Sequence, residues 1–412
     1  MAGVRGARYR WVVLAAGTLA QASFSASSVG LPALSPALKS DYGLSLGETG
    51  VVLAAIGIGM LFTLLPWGLV ADRVDERWVI ATGLTGAGAM LVVASTTHSF
   101  EAVTGVLVAV GALGASVNAA SGRAIMSWFS ASELGLALGI RQTAIPIGGA
   151  IGAFLPVLAA AGGTRLAFLF LAGACLTGAT VAAVFIRGGS DTEPELGDVT
   201  RPLRDPRMWQ LAGGTGLYLT AQVGITGFVV LFLHEHRGVS THAAAALFAA
   251  INVFAIAARI GAGRISDRLR SRLRPLRAIG VILAVATAAV ATATDAPLAL
   301  LVPLFLIAGV FSMSWNGLAY AAAAERAGAA RTGAALGFQQ TVLGVVVAVT
   351  PIVVALVAAH SWRLAFFLAA AGPAVGVLVL RGVSDARRAR SPRPARTRGT
   401  SASLPAAPRT PD

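Results

Sequence analysis

Residues 68 to 73 read Gly-Leu-Val-Ala-Asp-Arg, and 195 positions further on residues 263 to 268 read Gly-Arg-Ile-Ser-Asp-Arg. Each stretch ends a long apolar run, turns within a few charged residues and leads into another apolar run. That is the layout of two helices that cross a bilayer and reverse, since the hydrocarbon core takes about 20 apolar residues per helical crossing. Recurrence of the turn at a fixed offset makes the second half of the chain a repeat of the first.

Working outward from these turns, apolar runs lie at about 11–34, 49–70, 78–96, 101–122, 135–160 and 165–186, then at about 208–233, 243–262, 277–294, 297–321, 333–358 and 362–381. They are rich in Ala, Leu and Gly and lack the two-residue alternation of a barrel wall, so the fold class expected is an all-α membrane protein of twelve transmembrane helices. The composition agrees: 56% of the 412 residues are hydrophobic and 12% charged, where a soluble domain carries about 25% charge. The expected layout is a short N-terminus (1–10), a six-helix bundle (11–186), a hydrophilic linker (187–207), a second six-helix bundle (208–381) and a basic tail (382–412). The Arg, Pro and Ser content of that tail cannot build a core, and its arginines could touch anionic headgroups.

Charge orients the bundle. With the N-terminus inside, 26 Lys and Arg residues fall in segments on the cytoplasmic side, against Lys39, Arg165, Arg237 and Arg363 on the other. By the positive-inside rule both termini are expected in the cytoplasm, in a multi-pass protein of the cytoplasmic membrane. A signal-peptide reading of Ala20-Gln21-Ala22 is rejected, because cleavage there would put the basic ends on opposite sides. The basic residues mark orientation and are not interleaved with aromatics on one surface, so no nucleic-acid partner is expected. The single cysteine, Cys175, excludes an intrachain disulfide framework and multi-cysteine metal sites. His98, His234, His236, His242 and His360 fall in or beside loops at spacings that match no strong zinc motif, so neither metal nor cofactor is expected.

At an offset of 195, Tyr42-Gly43-Leu44-Ser45 also meets Arg237-Gly238-Val239-Ser240. At 198, Asn118, Gln142-Thr143 and Arg165-Leu166-Ala167-Phe168 meet Asn316, Gln340-Thr341 and Arg363-Leu364-Ala365-Phe366. Parallel repeats of six helices, with a site between the halves near the midplane, occur in major facilitator transporters. The two Gly-to-Arg turns resemble that superfamily's signature between helices two and three and its echo between helices eight and nine. Leu138-Gly139-Ile140-Arg141-Gln142-Thr143 and Ser361-Trp362-Arg363-Leu364-Ala365-Phe366 look like further superfamily segments. The resemblance covers residues 11 to 381. Asp75 and Glu76 depart from it, standing where the family prefers Gly and a basic residue, and helix five carries its Gly-Pro pattern only in degraded form, at Pro146-Ile147-Gly148-Gly149.

The resemblance implies two bundles rocking about a central site, with a latch on each side. Asp72 is the expected cytoplasmic latch, facing the N-terminus of helix eleven near Thr332, and Asp267 its mirror at helix five near Ser132. Arg73, Arg77, Arg123, Arg268 and Glu325 are the expected ionic neighbours. Gly148-x-x-x-Gly152 and Gly213-Gly214-x-Gly216 would let helices approach closely, and Pro66, Pro146, Pro156, Pro303 and Pro351 would bend them.

Polar side chains within apolar spans cost energy unless they meet a cavity or a partner. The candidates for substrate contact are Gln21, Asn118, Arg141, Gln142, Tyr218, Asn252, Arg259, Trp315, Asn316 and Gln340, with Tyr320 and Gln339 nearby; the alternative for each amide is interhelical hydrogen bonding. Arg259 lies eight residues before Asp267, about 12 Å in from the loop. Monocarboxylate and oxalate-type carriers of the superfamily have an arginine on helix eight that contacts the substrate carboxylate, and Arg259, Gly263 and Asp267 resemble their spacing. Its structural alternative is a brace to Glu325.

No Asp or Glu falls well inside a span, which disfavours cationic substrates. The favoured function is a secondary transporter of a small organic solute, with a carboxylate or other organic anion as the leading class and a coupling proton or counter-substrate as a candidate partner. A multidrug or metabolite exporter is the alternative within transport, and a membrane receptor or sensor the alternative outside it. An enzyme is disfavoured: Lys39 is the only lysine and no Gly-x-x-x-x-Gly-Lys-Ser/Thr loop exists to hold a nucleotide. The expected partners are the small-molecule substrate and the lipid bilayer, around a monomer.

Overall fold

The computed structural model describes residues 2–71, 73–129, 133–187, 204–328 and 331–385; side-chain statements exclude residues 2–7, 134 and 135. Among the described residues there is no strand. The principal helices of the first half are α1 (Ala2–Ser28), α2 (Leu46–Ala71), α3 (Glu76–Ala94), α4 (Phe100–Met126), α5 (Leu134–Gln142), α6 (Ala144–Gly152) and α7 (Leu155–Phe185), with a short helix, Ser35–Tyr42, between α1 and α2. The second comprises α8 (Pro206–Thr226), α9 (Thr241–Leu269), α10 (Leu273–Thr292), α11 (Leu298–Ser312), α12 (Asn316–Ala327), α13 (Thr332–Ala358) and α14 (Trp362–Arg381).

Among the described residues, eleven helical segments are long and apolar enough to cross a membrane. The twelfth expected crossing, the fifth in the chain, is present but broken. It runs through α5, α6 and the start of α7, which reverses at Gly162–Gly163, where the backbone leaves helical angles. Of the expected bends, Pro146 and Pro156 sit in the first turns of α6 and α7, where a missing N–H costs little. Pro66, Pro303 and Pro351 instead ride inside unbroken helices.

Helix starts follow local capping chemistry. Asp75, Ser99, Asp205, Ser240 and Ser361 each accept a backbone N–H two or three residues ahead. The repeat is visible in backbone angles as well. Gly43 and Gly238, equivalent at the offset of 195, have φ of 63° and 64°, the left-handed region that favours glycine.

Each half buries its own apolar core, Val13 to Ile186 in the first and Met208 to Val383 in the second. Exposed Phe62, Leu65, Val285, Leu300, Leu356 and Leu378 lie on the outside of the helices. So much outward apolar surface suits lipid, not water.

The halves meet closely on the face opposite the chain termini, called here the distal face. There Ala33 joins a cluster with Ile225, Val229 and Phe248 of the other half. Leu46 and Leu53 pack on Phe228, Leu231 and Val354. A Cβ at Gly50 would overlap Ala355 and come within 2.7 Å of the Pro351 carbonyl, so α2 and α13 touch almost backbone to backbone. Lys39 and Glu235 form an ion pair of 2.7 Å across the same seam.

The expected small-residue contacts divide. Gly148 and Gly152 face α1 and Gly30 within the first half, while Gly149 faces Asn252 of α9 across the interface. Gly214 packs on Gly376 and Leu380 within the second half, and Gly213 has open space.

Candidate substrate site

Helices α6 and α9 run antiparallel, and the contact of Gly149 with Asn252 fixes their register. Seven residues, about two turns, towards the termini from these two lead to Gln142, the last residue of α5, and to Arg259 of α9. These two meet: the Arg259 guanidinium donates to the Gln142 main-chain carbonyl, a bond between the halves. The carbonyl is free because its helical partner would be the N–H of residue 146, and Pro146 has none.

A second helix break supplies Arg259's other acceptor. Helix α11 ends at Ser312 and α12 starts at Asn316, leaving the Met313 carbonyl without a helical partner. Arg259 donates to it from Nε at 3.0 Å and from a terminal nitrogen at 2.6 Å, and to Asn316 Oδ1 at 3.2 Å. Arg141, on the other half, donates to Ser121 Oγ at 2.9 Å, Gln21 Oε1 at 3.2 Å and the Asn118 carbonyl at 3.3 Å. Both arginines are 6% exposed.

Tyr320 of α12 lies one helical turn beyond Asn316, the residue that accepts from Arg259. Its hydroxyl donates to Gln340 Oε1 at 2.9 Å. The repeat-related pairs Asn118 with Asn316 and Gln142 with Gln340 therefore converge on one cluster. Every acceptor named here is a neutral oxygen. Hydrogen bonds to a charged donor contribute about 1.5–3 kcal/mol each, which satisfies the donors. Removing an ion from water costs several kcal/mol beyond that unless a counter-charge arrives.

The remaining candidates lie apart. Tyr218 and Trp315 are fully buried in the second half's own core, edge to face at 5.8 Å, with the Tyr218 hydroxyl on the Leu276 carbonyl at 3.3 Å. Asn252 is fully buried at the interface and donates to the Phe248 carbonyl at 2.8 Å. Gln339 donates to Thr215 at 3.3 Å, inside the second half.

The face bearing the termini corrects two expectations about ionic partners. Glu325 does not brace Arg259. It accepts from Arg272 at 2.9 Å, in the loop between α9 and α10, a shorter reach than one into the membrane. Asp267 pairs with the same Arg272 at 2.6 Å, so its ionic partner lies in its own half; Ser132, its expected counterpart, is outside the described residues. Burial works against the charge of Arg272, yet its hydrogen bonds to Glu325 and Asp267 raise it above the ordinary arginine value.

Asp72 also lies outside the described residues, while Arg73 sits in the turn after α2 and Arg268 in the last turn of α9. The two acids that depart from the family pattern have partners: Arg77 approaches Asp75 at 3.6 Å and stacks over Trp78, and Arg123 approaches Glu76 at 3.6 Å. Asp385, after the last helix, caps α10 by accepting from Arg272 N at 2.9 Å and Leu273 N at 3.0 Å. His236 approaches Asp295 at 3.5 Å, and His234 Nδ1 lies 3.0 Å from the Val239 carbonyl.

The model for the Major Facilitator Superfamily matches residues 16–351 of this chain. The chain belongs to the Major Facilitator Superfamily. Two uncharacterised MFS-type transporters of Mycobacterium tuberculosis are similar to it: one, from strain CDC 1551 / Oshkosh, is 30% identical over 351 residues, 84% of this chain and 78% of that protein. The other, from strain ATCC 25618 / H37Rv, is 29% identical over the same shares. Among solved structures, a D-xylose–proton symporter superposes with a TM-score of 0.73 at 16% identity, covering 92% of this chain and 99% of that one. A bacterial homologue of the human lysosomal transporter Spinster, inward-facing and unoccupied, superposes with a TM-score of 0.70 at 16% identity, covering 90% and 95%. Identity that low carries the fold alone. Membership makes this MFS chain a multi-pass membrane transporter of a small molecule and not an enzyme.

Sequence reasoning found both arginines and their amide neighbours. It missed Ser121, the Met313 carbonyl and the Lys39–Glu235 pair. The Gln142 carbonyl could have been found, since a proline four residues after any helical position frees that position's carbonyl.

Proposed function

We propose that this MFS transporter carries a small organic anion across the cytoplasmic membrane by alternating access, and that Arg259 takes the anionic head. The reading is supported chiefly by one observation: a buried guanidinium donates to both halves at once, through Gln142 and Met313, to neutral acceptors alone. A carboxylate offers the planar, bidentate match that such a fork prefers. Arg141, Gln142, Asn316, Tyr320 and Gln340 complete the lining, with Gln21 and Asn118 holding Arg141 from behind. Tyr218 and Trp315 shape the wall without meeting the cargo. Asp72 and Asp267 act on the face bearing the termini, which the excess of Lys and Arg there assigns to the cytoplasm.

Comparing metabolite uptake and efflux in cells with and without the protein identifies the cargo. Arg259→Lys should then weaken its transport and Arg259→Gln nearly eliminate it, by about thirtyfold or more, as expected when one partner of a buried charge pair is removed. Cargo moved at the normal rate by a membrane-inserted Arg259→Gln protein would refute the assignment.

A further inference from the structure

Resting on the organic-anion reading, we infer that the cargo is divalent: a short dicarboxylate rather than a monocarboxylate. Two guanidiniums, not one, are buried at this site. Arg141 comes from the first half and Arg259 from the second, each 6% exposed. Arg141 immediately precedes Gln142, whose main-chain carbonyl accepts from Arg259, so both guanidiniums attach to one short stretch of chain.

The acceptors that hold them are Ser121 Oγ, Gln21 Oε1 and the Asn118 carbonyl for Arg141, and the Met313 and Gln142 carbonyls with Asn316 Oδ1 for Arg259. These oxygens fill donor positions that carboxylate oxygens can take, but none brings charge. A monoanion between the arginines neutralises one and leaves the other as a buried, uncompensated cation. A dianion neutralises both, one carboxylate to each half, and in doing so ties the halves together through the cargo. Attachment of both arginines to the 141–142 segment limits the separation of the two heads, which is why the acid is short. Tyr320 can hydrogen-bond the cargo where it now bonds Gln340.

The test uses the full-length protein in lipid nanodiscs, with thermal unfolding and calorimetric binding as readouts at constant ionic strength and a pH where both carboxyls are ionised. The probes are oxalate, malonate, succinate and glutarate, each beside the monocarboxylate of equal carbon number. At least one dicarboxylate should bind about thirtyfold or more tightly than every monocarboxylate, the cost of leaving one buried charge unpaired. Arg141→Gln should collapse that preference towards unity while monocarboxylate binding survives, and Arg141→Lys should retain part of it. Equal binding of both classes, lost in Arg259→Gln, overturns the divalent cargo and leaves the organic-anion reading standing. A preference that persists in Arg141→Gln also overturns it. Binding of no probe at all overturns both.

Discussion

Gly50 offers a way to move the transporter's conformational balance without touching its cargo site. The three atoms nearest to an added Cβ there, on Ala355, Pro351 and Ile352, all belong to α13 of the opposite half. Replacement by valine therefore meets steric resistance across the interface, which separation of the halves on the distal face would relieve. Overpacking of this kind costs about 1–3 kcal/mol. Charged wholly against the distal-closed state, that range raises the distal-open population about 5- to 150-fold. Ala33→Cys is a suitable reporter, because Ala33 is fully buried among side chains of the second half and the natural Cys175 is itself buried. If opening precedes labelling, the thiol should react faster in Gly50→Val by the same factor, measured against Ala33→Cys alone. Gly111→Ala is the control, since its Cβ would meet Ile56 within the first half. It should lower the unfolding temperature and leave the labelling rate unchanged. A folded Gly50→Val protein whose Ala33→Cys labels at the parent rate would refute the reasoning.

Two further outcomes follow from the polar contacts. Lys39→Ala should accelerate distal labelling by no more than about fivefold, because the side chains of Lys39 and Glu235 are 28% and 30% exposed and such pairs contribute at most about 1 kcal/mol; exchange of the two charges should restore the parent rate. Asp385 is held below its ordinary value of 3.8: burial raises it, but the Ser271 hydroxyl, the Leu273 and Arg272 N–H groups and the charge of Arg277 together prevail. Its stabilising contribution is thus present above pH 3.8 and lost as pH falls through the lower folded value. Asp385→Asn, which keeps an acceptor oxygen but loses the charge, should destabilise by about 0.3–1 kcal/mol at pH 7, the worth of an anion at a helix N-terminus. The difference from wild type should vanish in acid, as thermal unfolding across pH would show.

Much of the architecture was legible because bilayer thickness leaves so few solutions: apolar run length, charge asymmetry and the 195-residue echo required little else. Depth from a loop is also a one-dimensional quantity, so Arg141 and Arg259 stood out. The partner of Arg259 did not. Glu325 was the acid weighed as its brace, but Arg272 pairs with Glu325 and occupies it. The actual acceptors are main-chain carbonyls released where helices break, and residue chemistry gives no direct sign of them except at Pro146. Lys39 and Glu235 sit 196 positions apart, and only the packing of the halves brings them together.

Because two of the three residues that grip Arg259 do so through main-chain oxygen, any side chain at positions 142 and 313 that keeps the backbone path leaves those acceptors in place. The charge is anchored by the course of the chain and the contour around it by ordinary side chains, so the two can diverge independently. On the proposed reading, exchange of Gln142 or Gln340 alters which cargo fits and leaves the same electrostatic anchor in place. A change of specificity then requires no new fold and no relocated arginine.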